Sequence, residues 1–176
     1  MQLKLRIAGM TEESVVDGPG IRFVVYGQGC LHACPGCHNP ETQDLEGGSL
    51  VSPEEIAKKI EKNPLLDGVT YSGGEPFLQA EAFAQLAEIV KPWGLNLVIY
   101  TGYTFEFLLN KSRKDLSCYK LLKSTDLLID GPYLQEKRDI KLLYRGSYNQ
   151  RIINIPRTLS SGALCLWQDT TALPLE

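Results

Sequence analysis

The sequence predicts an α/β fold whose mainly parallel sheet forms a partial, open β/α barrel. Predicted strands and helices alternate along the chain, as they do in βα units. The segments VVY, LVIY and LLI within the predicted strands are almost continuously apolar, which is typical of parallel strands covered on both faces. The chain has 176 residues, whereas a complete eight-unit barrel typically needs about 250. We therefore expect an open barrel or sheet rather than a closed one.

The first half of the chain contains two predicted strands and the first helix. Residues 20–27 (GIRFVVYG) are rich in β-branched and aromatic types and end at a group of cysteines. A helix is predicted to begin at Ser52, because Ser52 can cap it, Pro53 suits its first turn and Glu55 completes a capping box. Residues 67–71 (DGVTY) form a second strand, which runs into the turn Ser-Gly-Gly-Glu.

The second half continues the alternation. Residues 80–90 (AEAFAQLAEIV) have helical spacing with one apolar stripe, and Pro92 and Gly94 end this helix. The segment LNLVIY at 95–100 is an apolar strand, and DLLID at 126–130 is another. Further helices are predicted for residues 104–110 and 115–123, and late strands for residues 151–155 and 163–167.

Composition and charge argue against several classes of protein. Hydrophobic residues make up 43% of the chain and charged residues 22%, so a globular core can form. The net charge of −3 argues against a nucleic-acid-binding surface, since such surfaces are usually basic. The sequence has no apolar run of the ~20 residues that a membrane span needs, and no secretory hydrophobic segment at its start. We expect one cytoplasmic domain covering residues 1–176, with neither nucleic acid nor a membrane as partner.

Three of the five cysteines lie within eight residues, in the segment CLHACPGC. They are Cys30, Cys34 and Cys37. This clustering indicates a metal loop in a reduced compartment rather than a disulfide framework. A [4Fe–4S] cluster normally takes about four thiolates, so three would leave one iron open to another ligand. The alternative is a zinc site with His32 or His38 as its fourth ligand. Cys118 and Cys165 have no neighbouring Cys or His to form a second ligand pair.

Polar or glycine-rich turns follow four of the predicted strands. In parallel βα folds, reactive groups gather at the carboxyl ends of the strands. The four turns are the cysteine loop, residues 72–75 (SGGE), residues 101–102 (TG) and residues 130–131 (DG). We expect them to converge on one face of the sheet.

The cysteine spacing C-x₃-C-x₂-C, followed downstream by Gly-Gly-Glu, resembles the pattern of the radical S-adenosylmethionine (SAM) enzymes. The segments GPGIR at 18–22 and CHNPET at 37–42 are similar to those of the glycyl-radical-enzyme activases. Among these, the chain most resembles the activating proteins of anaerobic ribonucleoside-triphosphate reductase, through YTGY at 100–103, IDG at 129–131 and YRGSYNQ at 144–150.

The resemblance runs from about Val16 to Ile153, and residues 156–176 extend past it as a family-variable C-terminal extension. It implies a partial β/α barrel of the radical SAM type. The late segment 145–150, rather than the cysteines, favours the reductase as partner.

This resemblance implies an activase that contains one [4Fe–4S] cluster and uses SAM. The reduced cluster would pass one electron to the SAM sulfonium, giving methionine and a 5′-deoxyadenosyl radical that takes hydrogen from a glycine of the partner. The implied partner is the large subunit of anaerobic ribonucleotide reductase, with an electron donor such as flavodoxin or ferredoxin. Two alternatives remain open: an activase of another glycyl radical enzyme of the pyruvate formate-lyase type, and a non-catalytic zinc or iron–sulfur module.

The family pattern also assigns site residues, with no catalytic side chain among them. Cys30, Cys34 and Cys37 would bind the cluster. The remaining cofactor contacts would come from Gly36, Cys37, His38, Ser72, Gly73, Gly74, Glu75, Thr101 and Asp130. In the family, the Gly-Gly-Glu turn contacts the methionine amino group, and residues beside the third cysteine line the adenine. Many relatives carry an aromatic residue just before that cysteine, where this chain has Gly36, so the stacking contact is missing or moved to His38.

Overall fold

The computed structural model describes residues 3–168 and contains seven strands and five α-helices. The strands are β1 (Leu5–Ser14), β2 (Arg22–Gly27), β3 (Ser49–Val51), β4 (Gly68–Gly73), β5 (Asn96–Tyr100), β6 (Leu127–Asp130) and β7 (Arg151–Asn154). The helices are α1 (Pro53–Ile60), α2 (Ala80–Val90), α3 (Phe105–Ser112), α4 (Leu116–Ser124) and α5 (Ile155–Ser161).

All seven strands belong to one sheet in the order β3-β1-β2-β4-β5-β6-β7. The four central strands, β2, β4, β5 and β6, are parallel. The strands β1 and β3 on one side and β7 on the other pair antiparallel. The two edge strands, β3 and β7, are not neighbours, so the sheet stays open. This confirms an open α/β fold with a parallel centre.

The helices cover one face of the sheet. Alternate residues of the central strands, among them Val69 and Tyr71, pack with apolar residues of α1, α2 and α4 into the main core. Tyr71 lies against the ring of Phe83 on α2, with ring centroids 4.5 Å apart. The predicted capping box at Ser52 and Glu55 is present, and it fixes the start of α1.

The opposite, inner face of the sheet has a smaller apolar cluster and a buried polar centre. Val98, Leu127, Ile129 and Ile152 form the cluster. The centre is Arg22, which is 0% exposed and donates to side-chain and backbone oxygens of the loop before β2 and of neighbouring strands. Burial lowers the pKa of Arg22 to about 10. A polar network therefore replaces a second helical layer on this face.

The structure differs from the predicted elements mainly at the edges of the sheet. The predicted helix 80–90 has those bounds, and the predicted central strands lie within two residues of the observed ones. The predicted strand 163–167 is reduced to one bridge between Leu166 and Ile153. Strands β1 and β3 and helix α5 were not predicted. The last residues of the expected C-terminal extension, 169–176, lie outside the described part of the chain. Within that part, no helix has the length and apolarity to span a membrane.

Candidate functional site

A cavity of about 440 Å³ lies at the carboxyl ends of the four parallel strands. Each of the four predicted turns contributes to its lining, so they do converge on one face. The contributing residues are Cys30, Cys34 and Cys37 after β2, Ser72–Glu75 at the end of β4, Thr101 and Gly102 after β5, and Gly131 after β6. The geometry of a parallel sheet therefore brings together residues that are separated by up to 101 positions in the chain.

The three cysteines are free and partly exposed within this cavity. Backbone hydrogen bonds hold the start of their loop, from Gly29 to Thr42 at 2.7 Å and from Cys30 to Gln43 at 3.2 Å. Burial is the main cause that raises the pKa of the Cys30 thiol above its ordinary value. A bound metal would reverse this effect, since metal coordination stabilises the thiolate.

The donor chemistry of the cavity fits an iron–sulfur cluster. Thiolates are the usual protein ligands of such clusters. Among residues 3–168, no three His, Cys, Asp or Glu side chains converge closely enough to hold a single metal ion. The three cavity thiols therefore match the type of ligand that binds an iron–sulfur cluster.

His32, in the middle of the cysteine loop, contacts the Gly-Gly-Glu turn rather than the cysteines. Its Nε2 lies 2.8 Å from Glu75 Oε2, and its ring meets the edge of Tyr103 at a centroid distance of 4.5 Å. Gly102 makes room for this ring, because a Cβ there would lie 2.4 Å from His32 Cδ2. His32 therefore has a structural partner on each side and is not oriented as a zinc ligand.

Glu75 is 1% exposed, and its carboxylate has four further contacts besides His32. It accepts hydrogen bonds from the Phe77 amide at 3.0 Å and the Gly102 amide at 2.9 Å, and both its oxygens lie within 3.0 Å of Thr101 Oγ1. The carboxylate thus connects the cysteine loop, its own turn and the end of β5. A buried carboxylate is stable only when its oxygens are hydrogen-bonded in this way.

The two glycines of the turn allow it to lie directly against the cysteine loop. A Cβ on Gly73 would lie 2.7 Å from the carbonyl oxygen of Gly27, and one on Gly74 would lie 2.3 Å from that of Gly29. Gly73 also has a φ of 86°, which favours glycine. The backbone amides of Gly74 and Glu75 donate to the same two carbonyls. Larger residues would therefore separate the turn from the loop that carries the cysteines.

The other predicted site residues fall into two groups. Gly36, Cys37 and His38 lie at the end of the cysteine loop, and Cys37 and His38 line the cavity. Asp130 does not line it. Its carboxylate accepts from the amide of Phe105 at the start of α3 and pairs with Arg151. Side chains alternate along a strand, and Ile129 belongs to the inner cluster, so Asp130 is directed to the helical face.

Several cavity residues were not predicted from the sequence. They are Val16, Asp17, Tyr26, Asn39, Tyr100, Tyr133, Leu142, Tyr144, Arg145, Gly146 and Gln150. Four of these are tyrosines. Tyr26 and Tyr100 sit at strand positions of the inner face, which the alternation of side chains could have indicated. Tyr133 and Tyr144 lie in the long segment between β6 and β7, where no regular periodicity gives the direction of a side chain.

Comparison with known proteins gives one family and several relatives. The 4Fe-4S single cluster domain family matches residues 16–153. The anaerobic ribonucleoside-triphosphate reductase-activating protein of Enterobacteria phage T4 is 35% identical over 144 residues, which cover 78% of this chain and 86% of the phage protein. The protein of the same name from Vibrio cholerae is 36% identical over 146 residues, which cover 78% of this chain and 90% of the relative.

A relative of the second activase type is also similar. The pyruvate formate-lyase-activating enzyme of Clostridium pasteurianum is 38% identical over 130 residues, which cover 70% of this chain. The chain spans half the length of this enzyme, since the matched region covers 50% of it. Identity therefore does not separate the two activase types.

Proposed function

The chain belongs to the 4Fe-4S single cluster domain family and to the glycyl-radical-enzyme activases within it, and from this premise we propose that it installs a glycyl radical on anaerobic ribonucleoside-triphosphate reductase. The observation that carries the proposal is the meeting of three cysteines and the Gly-Gly-Glu turn in one cavity. A simple electron carrier has no need of a second, glycine-rich turn packed against its cysteine loop.

The cavity residues have separate roles in the proposed reaction. Cys30, Cys34 and Cys37 would hold a [4Fe–4S] cluster, and three thiolates would leave one iron free to bind SAM. When bound, the cluster and SAM supply the chemistry, a one-electron reductive cleavage of the sulfonium that provides the hydrogen-abstracting 5′-deoxyadenosyl group. The protein's part is to hold the reacting groups together and to exclude competing reactions.

We assign the amino-acid end of SAM to the turn of residues 72–74. This turn lines the cavity beside the cysteine loop. The carboxylate of Glu75 is already hydrogen-bonded to four protein groups, those of His32, Phe77, Thr101 and Gly102. We therefore propose that Glu75 acts mainly by fixing the turn against the loop, and that polar groups of residues 72–74 meet the ligand.

The type of barrel, the domain organisation, the partners and the cellular location are proposed from the same family. We propose that the open sheet is the partial β/α barrel of the radical SAM type, formed by one domain with a variable C-terminal extension from residue 156. The proposed partners are the large subunit of the reductase and a reduced flavodoxin or ferredoxin, and the proposed location is the cytoplasm.

The late segment 145–150 favours the reductase over pyruvate formate-lyase as the partner, because the chain resembles the reductase-activating proteins there. An activase of the pyruvate formate-lyase type remains the second candidate, because its identity to this chain, at 38%, is similar.

Anaerobic reconstitution tests this proposal. The protein should bind about four irons per chain and convert SAM into methionine and 5′-deoxyadenosine when reduced, and Cys34→Ala should abolish both. Mixing with the reductase should produce the electron paramagnetic resonance doublet of a glycyl radical, and mixing with pyruvate formate-lyase should not. Intact SAM in the presence of a full, reduced cluster would overturn the activase proposal, as would a colourless protein that contains zinc after anaerobic purification.

A further inference from the structure

The position before the third cysteine holds a glycine whose backbone conformation disfavours an aromatic side chain. Gly36 has a φ of 70°, which disfavours every residue with a Cβ. A Cβ at this position would also lie 2.8 Å from Gln135 Oε1 and 2.9 Å from Gln135 Cδ. The space beside Gly36 is thus filled by a residue of the segment that follows β6. Any aromatic surface for the adenine of SAM must come from another part of the cavity.

Tyr133 provides such a surface, together with His38. The two ring centroids are 4.7 Å apart with an angle of 47° between the ring planes. Both rings line the cavity. Among the described residues, this is the only ring pair with both rings in the cavity lining. Each other pair includes Tyr103, Trp167 or the core ring of Tyr71, and these rings lie outside the lining. The pair combines residues 95 positions apart, one beside the cysteine Cys37 and one after β6.

The segment 145–150 holds the loop that carries Tyr133. Asn149 Nδ2 donates to the carbonyl oxygen of Pro132 at 2.7 Å, and Gln150 Nε2 donates to that of Gly131 at 3.1 Å. On the other side of Tyr133, the amide of Leu134 donates to Ser147 Oγ at 3.2 Å. Polar contacts from one segment therefore fix the backbone on both sides of the tyrosine.

Gly146, in the same segment, packs against the rings of both His38 and Tyr133. A Cβ on Gly146 would lie 3.0 Å from both His38 Cε1 and Tyr133 Cδ2, which is a tight contact, so a larger residue there would push against the two rings. The amides of Gly146 and Ser147 donate to Gln150 Oε1, which closes the segment on itself. Four residues of the Arg-Gly-Ser-x-Asn-Gln sequence, Gly146, Ser147, Asn149 and Gln150, thus contact the loop 131–134, whereas Arg145 donates to the Gln150 carbonyl within the segment.

We propose that Tyr133 and His38 form the adenine-binding surface of the cavity, and that the segment 145–150 positions Tyr133 for this role. The inference rests on the proposed use of SAM and identifies a binding residue for it. Adenine is a flat aromatic group, and stacking of a base on an aromatic side chain contributes about 1–3 kcal/mol. Loss of the ring at position 133 should therefore weaken SAM binding by about 5- to 150-fold.

The test is the affinity of the reconstituted holoprotein for SAM, measured by anaerobic titration of the electron paramagnetic resonance signal of the reduced cluster. We expect Tyr133→Phe to bind SAM as the wild type does and Tyr133→Leu to bind it about 5- to 150-fold more weakly. Asn149→Ala, which removes one positioning hydrogen bond, should weaken binding by about two- to tenfold. Tyr119→Leu is the matched control, because Tyr119 is 44% exposed on α4 and does not line the cavity.

Two measurements distinguish weaker SAM binding from loss of the cluster or of the fold. They are the iron content and the signal of the cluster before SAM is added, and neither should change in these variants. Equal SAM affinity in Tyr133→Leu and the wild type would overturn this inference and leave the activase proposal intact. Loss of radical transfer to the partner with unchanged SAM affinity would also overturn it, because Tyr133 would then contact the partner. A wild-type holoprotein that binds no SAM would overturn both proposals.

Discussion

His32 Nε2 lies 2.8 Å from Glu75 Oε2, and this contact joins the cysteine loop directly to the Gly-Gly-Glu turn. The two residues are 43 positions apart in the chain. Glu75 is 1% exposed, so its carboxylate depends on protein donors for stabilisation. The geometry of the cavity therefore rests partly on one buried carboxylate, whose removal would leave several donors without an acceptor.

Replacement of Glu75 by alanine should destabilise the protein even without a cluster. The substitution leaves the amides of Phe77 and Gly102 without their acceptor. Unsatisfied buried donors cost about 1–3 kcal/mol each, and partial relaxation should limit the total to about 2–5 kcal/mol. Urea unfolding of the reduced apoprotein, followed by circular dichroism, measures this difference. Glu12→Ala is the control, because Glu12 is exposed on β1, and an equal effect of the two substitutions would contradict the assigned role of Glu75.

Much of the fold and of the site is predictable because it depends on local patterns. An apolar strand followed at once by a glycine-rich turn identifies a strand end, and the parallel geometry then requires those ends to meet. The cysteine loop, the turn at 72–75 and Thr101 could be placed in one cavity by this argument, and the structure places them there.

The remaining features depend on contacts that a local pattern does not record. Strand β1 carries two register shifts, between Ile7 and Gly9 and between Thr11 and Ser14, which interrupt the two-residue period that identifies a strand. Asp130 lies at the end of β6, but the alternation of side chains along the strand directs its carboxylate to the Phe105 amide rather than into the cavity. The direction of Tyr133 is set by the distant residues Gly146 and Asn149.

Cys118 should react with thiol reagents only when the protein unfolds. It is 0% exposed in the core, and burial raises the pKa of its thiol to about 11. The raised pKa keeps the thiol protonated in the folded protein near pH 8, and the thiolate is the reactive form. The unfolded thiol has a lower pKa, so it ionises first as the pH rises, and this group's contribution to stability should fall between the unfolded pKa of about 8.5 and about 11.

Alkylation of the native apoprotein at pH 8, followed by mass spectrometry, checks this expectation. The other four cysteines are partly exposed and should be modified, and Cys118 should be modified only after denaturant is added. Modification of Cys118 at the rate of Cys165 in the native protein would contradict the buried position. Assembly of the cluster should then protect the three loop cysteines and leave Cys165 reactive.

Gly36→Ala should destabilise the protein through its backbone conformation rather than through a clash. The φ of 70° is unfavourable for alanine, whereas the new Cβ would meet only the end of the exposed Gln135 side chain, which can move aside. Gly94→Ala is the control, because Gly94 has a φ of 83° and nothing within 4 Å of its Cβ position. We expect each substitution to lower the free energy of unfolding in urea by about 1 kcal/mol. A larger loss in Gly36→Ala that Gln135→Ala removes would show instead that Gln135 restricts this site.

Arg22→Lys should destabilise the fold strongly although the charge is kept. The guanidinium reaches Thr70 Oγ1 at 2.6 Å, the Pro19 carbonyl at 2.8 Å and Asn96 Oδ1 at 2.8 Å, in three directions. A lysine ammonium has three donors at one point and cannot reproduce this planar arrangement. Thr70 Oγ1 in turn donates to the Asp17 carbonyl at 2.8 Å, so the loop that brings Asp17 to the cavity depends on the same centre.

The size and the pH dependence of this loss test the role of Arg22. Removal of a buried, fully hydrogen-bonded charged group typically costs about 3–5 kcal/mol, and we expect Arg22→Lys to lose about 2–4 kcal/mol because its ammonium can keep part of the bonding. The pKa of Arg22, lowered to about 10, makes the folded state release this proton before the unfolded state does. The contribution to stability therefore changes only above about pH 9, and urea unfolding should give the same loss throughout the neutral range.

Arg157→Ala, at an exposed position of α5, should change the free energy of unfolding by less than about 0.5 kcal/mol. A loss in Arg22→Lys no larger than this would mean that the loop before β2 is held by other contacts.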